Sequence, residues 1–103
     1  MINADFSVGS DGVINGFCIS GHSDYSEEGS DIVCAAVSAM AYLTANTVTE
    51  VIGESAEIKV DEGYMSFKLI KNNRESENLL KGFYLQLKEL VKQYPQYIRI
   101  KEV

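Results

Sequence analysis

Among the 103 residues there is one histidine, His22, and there are two cysteines, Cys18 and Cys34. His22 and Cys34 are the residue types that together attack a carbonyl: an imidazole takes the thiol proton, and the thiolate is the nucleophile. A helix beginning at Ser30 or Asp31 puts Cys34 in its first turn, where free amides and the helix dipole favour negative charge. His22 would act as general base and then as general acid toward the leaving amine, with first-turn amides near Cys34 receiving the oxyanion. Asp31, Cys34 and Ser38 stand at i, i+3 and i+7, one helix face; Asp31 either orients His22 or caps the helix.

Plainer readings stand beside this one. A cysteine in an alanine-rich helix is commonly a packing residue, and a single loop histidine is commonly solvated. Only the conjunction of the sole histidine, a first-turn cysteine and a long polar segment between them points to a thiol site. A zinc site built from His22, Cys34, Cys18 and Asp31 has suitable ligand types but lacks the paired Cys-x-x-Cys spacing of structural sites, so no metal and no cofactor is expected. Cys18, between Phe17 and Ile19, reads as an inert core residue.

The elements that must position these groups follow from periodicity. Residues 2–8 carry Ile2, Ala4, Phe6 and Val8 in strand alternation, and Gly9-Ser10-Asp11-Gly12 turns the chain into a second strand over 13–20. Residues 21–30, Gly-His-Ser-Asp-Tyr-Ser-Glu-Glu-Gly-Ser, show no periodicity; so long a polar loop in a small domain is often functional. Gly21 and Gly29 read as its hinges. A helix follows over about 31–51, apolar on most sides, which predicts a central, buried helix rather than a membrane span. Beyond Gly53 comes a second hairpin: Ala56, Ile58 and Val60 alternate, Asp61-Glu62-Gly63 turns, and Met65, Phe67 and Leu69 alternate again. The second helix carries Leu79, Leu80, Phe83, Leu87, Leu90, Val91 and Tyr94 at helical spacing. Pro95 stops it, and residues 97–103 close as a strand. The order ββαββαβ predicts one α+β domain over 1–103, a mixed or antiparallel sheet packed with two helices.

Composition bounds the function. Nine Lys plus Arg against fifteen Asp plus Glu leave a net charge of −6, which argues against direct nucleic-acid binding and admits a basic partner. Lys68, Lys71 and Arg74 read as a solvated face. Two cysteines make no disulfide scaffold. With no signal segment read at Met1-Ile2-Asn3-Ala4-Asp5-Phe6, the expected compartment is the cytoplasm.

The segment Gly21-His22-Ser23 with Gly29-Ser30-Asp31-Ile32-Val33-Cys34-Ala35-Ala36-Val37-Ser38, and the later Tyr94-Pro95-Gln96-Tyr97-Ile98, resembles the signature of the ribosomal-processing cysteine protease family. The resemblance spans the chain in length and element order, departing at the start, where Asn3 and Asp5 replace a more basic opening. It implies a small cytoplasmic cysteine endopeptidase that removes the N-terminal extension of ribosomal large-subunit protein twenty-seven, cutting after an aromatic pair. It further implies His22 and Cys34 as the catalytic residues, Asp31 and Ser38 in support, an apolar pocket beside Cys34, a loop over 23–30 that orders around substrate, and a homodimer. The reading from another class is a non-catalytic ribosome-assembly or peptide-binding module, which would not require the His22 and Cys34 pair.

Overall fold

The computed structural model describes residues 1–22 and 31–103. Strand β1 (Ile2–Val8) and β2 (Ile14–Ser20) form an antiparallel hairpin, with a bulge between Ser7 and Val8. Helix α1 (Ile32–Asn46) continues as a π-helical segment, Thr47–Ile52. A second hairpin, β3 (Ala56–Asp61) and β4 (Tyr64–Leu69), leads to α2 (Arg74–Gln93) and β5 (Ile98–Glu102). The element order is the expected ββαββαβ.

The five strands form one mixed sheet in the order β3-β4-β2-β1-β5, antiparallel except where β5 runs parallel to β1. Alternation decides its two faces. Ile2, Ala4 and Phe6 share a face with Phe17 and Ile19 of β2 and with Met65 and Phe67 of β4 by register. Both helices pack on this face, so the molecule has two layers around one core. Phe6, fully buried, meets Phe83 and Tyr84 edge-on at 5.4 and 5.1 Å; Phe17 stacks on Phe67 at 5.3 Å and takes Phe83 edge-on at 5.0 Å. These geometries suit the ring quadrupole, adding about 0.5–1.5 kcal/mol per pair to the area buried. The close approach of β2 and β4 depends on Gly16, where a Cβ would stand 2.5 Å from the Phe67 carbonyl oxygen.

Three expectations are corrected. First, α1 and its π-helical continuation are not buried all round. Val33, Val37, Ala41, Ala45 and Val48 lie in the core, whereas Ile32, Tyr42, Leu43 and Val51 are exposed. A two-layer fold gives a helix only one sheet face to cover, so an apolar circumference exceeds what the domain can bury. Second, the helix is not regular to its end. The hydroxyls of Thr44, Thr47 and Thr49 donate to the carbonyls four residues back, a local bond that bends helices, and wider π-turns carry the chain to Gly53. Third, Cys18 is not in the core. It points to the outer sheet face, level with Asp5 and Ser66, and is half-buried. Cys18 therefore cannot join a metal site with Cys34 across the sheet, and no cluster of three or more metal-ligating side chains occurs among the described residues. The second helix follows its stripe: Leu80, Phe83 and Leu87 are buried, and Asn73 caps it by accepting from the Ser76 N–H at 2.9 Å.

Candidate active site

Asp31 starts α1. Its backbone is extended, and its Oδ1 accepts from the Val33 and Cys34 N–H groups at 2.9 and 3.0 Å. Of the two readings for Asp31, the cap is the one these bonds express. The same bonds bear on the expected oxyanion site. The Val33 and Cys34 amides are held by the Asp31 carboxylate and the Ala35 amide by the Asp31 carbonyl at 3.1 Å. An N-cap satisfies orphan donors, so an oxyanion at these three amides would compete with Asp31, and the Ile32 amide stands outside the cap bonds. What the cap does supply is a fixed first turn under Cys34, whose side chain is half-buried. Ser38 follows one turn later on the same side.

His22 comes from the other layer. At the end of β2 the chain passes through Gly21 with φ +89°, a left-handed backbone where a Cβ would also collide with the Met1 carbonyl oxygen. The Met1 amino group donates to the His22 carbonyl, and the Gly21 N–H donates to the Gly63 carbonyl at 2.9 Å. Gly63 closes the β3–β4 turn at φ +66°, and a Cβ there would stand 3.0 Å from His22 Nε2. The imidazole thus lies against a bare glycine, and the second hairpin forms its seat.

The two layers meet in a groove of about 230 Å³ that contains Gly21, His22, Cys34 and Ser38 in its wall. Its floor is apolar, from Ile2, Ile19, Val37, Ala41 and Met65; Tyr42 and Tyr64 add aromatic rims and Asp61 a carboxylate. Gly29 and Ser30, with the rest of 23–30, lie outside the described residues. Sequence reasoning missed the contribution of Asp61, Gly63 and Tyr64, reading them only as a turn. Their place depends on β4 pairing with β2, which sets Tyr64 opposite Ser20; no local pattern signals that pairing.

A two-layer α+β domain with a cysteine and a histidine in one apolar groove is the architecture of a small thiol peptidase. Comparison with known proteins is specific. The model of the family described as cysteine protease Prp matches residues 1–99, and the chain belongs to that family. It is 29% identical over 103 residues to the ribosomal processing cysteine protease Prp of Staphylococcus aureus strain Mu50, covering 97% of each chain. It is 27% identical over 107 residues to the Bacillus subtilis strain 168 protein of that name, covering 97% of this chain and 96% of the other. The S. aureus protease solved with a covalently linked product peptide superposes with a TM-score of 0.94 at 28% identity, all of both chains being covered. The protein is a cysteine-type peptidase.

Proposed function

We propose that this peptidase removes an N-terminal extension from a ribosomal large-subunit protein in the cytoplasm, cutting after an aromatic pair, and that it works as a homodimer. The observation that carries the chemistry is the meeting of Cys34 and His22, from opposite layers, in one groove. His22 takes the Cys34 proton; the sulfur attacks the scissile carbonyl carbon; the tetrahedral adduct expels the amine, which receives the proton from the imidazolium. Water then hydrolyses the thioester with His22 again as base, returning the thiol. Asp31 holds the first turn beneath the nucleophile, and Ser38 faces the groove one turn on. The apolar floor and the Tyr42 and Tyr64 rims suit aromatic side chains, which prefer edge-on or offset partners. The ribosomal assignment draws on the S. aureus and B. subtilis proteins, both named as ribosomal processing proteases.

The test is cleavage of a peptide spanning an extended ribosomal N-terminus, followed by mass, with Cys34→Ala and His22→Ala in parallel. Cleavage by the unaltered chain at one bond after paired aromatics, absent from both variants, is the expected result. Either variant cutting at the unaltered rate removes the dyad assignment. Binding of the peptide without cleavage by the unaltered chain would favour the binding-module reading.

A further inference from the structure

Among the described residues, the groove that holds Cys34 and His22 has one carboxylate in its wall, Asp61, and neither lysine nor arginine. Asp61 ends β3, and its Oδ1 accepts from the Glu62 N–H at 2.8 Å, which fixes the carboxylate at the start of the β3–β4 turn. It makes no ion pair with any described residue. Proton transfer between Cys34 and His22 gives it no part. Its neighbour across the ladder is Tyr64. Directly paired residues of an antiparallel ladder hold their Cβ atoms about 5 Å apart on one face, and both of these side chains line the groove. A carboxylate beside an aromatic ring is a seat for an ammonium or guanidinium, whose N–H groups reach the oxygens while the cation or its stem lies on the ring. The apolar walls strengthen such a contact, because a cleft lined by charge of one sign concentrates its field.

We propose that Asp61, with Tyr64 beside it, forms a subsite for a lysine or arginine side chain of the substrate close to the scissile bond. The inference rests on the Cys34 and His22 peptidase reading and adds a second determinant to the aromatic pair. Distance limits where the cation stands in the peptide. Cys34 and Tyr42 are two turns apart on α1, about 12 Å, and stand in the same groove as Asp61 and Tyr64. An extended peptide advances about 3.3 Å per residue, so the groove holds about four residues. Gly63 lies against the His22 ring, and Asp61 comes two positions before it, so the subsite adjoins the imidazole. The cation therefore belongs to a residue within about three positions of the cut. Asp61 is exposed, which lets the charged head keep part of its water while the stem crosses the Tyr64 ring. The net charge of −6 draws a basic chain in from any side; Asp61 decides which of its residues meets the groove.

The test uses peptides blocked at both ends, each with the aromatic pair and one lysine placed at a different position beside it. Each is compared with a twin whose lysine is Nε-acetylated. Blocking removes the terminal amine as a rival cation, and acetylation removes the charge while keeping the stem. For the unaltered chain, the lysine-to-acetyl-lysine ratio of kcat/KM is about threefold to tenfold at one position, and KM carries it because the contact forms on binding. Asp61→Asn keeps an oxygen for the Glu62 N–H and brings the ratio to about one. Asp61→Lys inverts the preference, so that glutamate at that position is cut faster than lysine. Glu62→Gln removes the same charge from the next residue, exposed and outside the groove wall, and keeps the lysine preference. Binding of the same peptides to Cys34→Ala follows the same order. A ratio of about one at every position, an undiminished ratio in Asp61→Asn, or an equal fall in Glu62→Gln overturns the subsite. Lysine-selective binding to Cys34→Ala without cleavage by the unaltered chain supports the subsite and counts against the peptidase chemistry, so the two failures are distinct.

Discussion

At the scale of single residues, Cys34 and Asp31 divide two duties that neighbouring positions on one helix turn make easy to confuse. The thiol faces the groove, while the carboxylate turns back on the Val33 and Cys34 amides. Their substitutions should separate. Cys34→Ala abolishes peptide cleavage and leaves the thermal midpoint nearly unchanged, because a half-buried thiol gives way to a methyl. Asp31→Ala loses the cap, worth about 1 kcal/mol. In a domain of this size that lowers the midpoint by about 4–8 °C, and Asp31→Asn, which keeps a capping oxygen, recovers most of it. Calorimetry beside a mass-based cleavage assay reads both. Equal midpoints for Asp31→Ala and the unaltered chain would show that the cap adds nothing to stability. Exposure of Cys34 to iodoacetamide at neutral pH gives a further check: it should be alkylated ahead of Cys18, and His22→Ala should slow the reaction.

At the scale of elements, the β3–β4 turn backs the site: Gly63 lies against the His22 ring and its carbonyl accepts from the Gly21 N–H. Gly63 has a backbone that costs an L-residue about 1–2 kcal/mol, and its missing side chain is where the His22 ring sits. Gly63→Ala meets both penalties; Gly63→Asn, whose type tolerates the left-handed region, meets mainly the second. Both variants should lower kcat/KM about tenfold to a hundredfold by displacing the imidazole, with Gly63→Ala also less stable. If Gly63→Asn cleaves at the unaltered rate, the turn does not seat the histidine. In the sheet, Gly16→Ala should destabilise without touching the groove, because its Cβ meets the Phe67 carbonyl in the β2–β4 ladder.

At the scale of the whole molecule, the aromatic core sets stability and the net charge sets encounter. Phe17→Ala removes a ring that touches Phe6, Phe67 and Phe83 and should cost about 3–5 kcal/mol in denaturant unfolding, enough to unfold a marginal domain. A surface carrying −6 attracts a basic peptide. For a lysine-rich substrate, kcat/KM should therefore fall between about 0.1 and 1 M salt as the screening length shrinks from about 10 to about 3 Å. A neutral peptide of the same aromatic sequence should show little change. Equal salt dependence for the two would mean that the charge plays no part in capture.

What the sequence determined by itself was what local chemistry carries. Alternation in Ile2-Asn3-Ala4-Asp5-Phe6, the stripe from Leu80 through Phe83 to Leu87, and the stop at Pro95 specify strand, helix and boundary, because each depends on neighbours a few residues away. The sole histidine and a first-turn cysteine on either side of a polar segment pointed to a thiol site, and the family resemblance over 21–38 implied the roles of His22, Asp31, Cys34 and Ser38. Only the tertiary structure decided the rest. It put Cys18 outside the core and half of α1 in the open, since which face is buried depends on how many layers the domain has. It engaged the first-turn amides with Asp31, where a sequence allows several acceptors. It also brought Gly63 from forty residues downstream to the back of His22, because strand order follows the packing of the whole sheet and is written in no single segment of it.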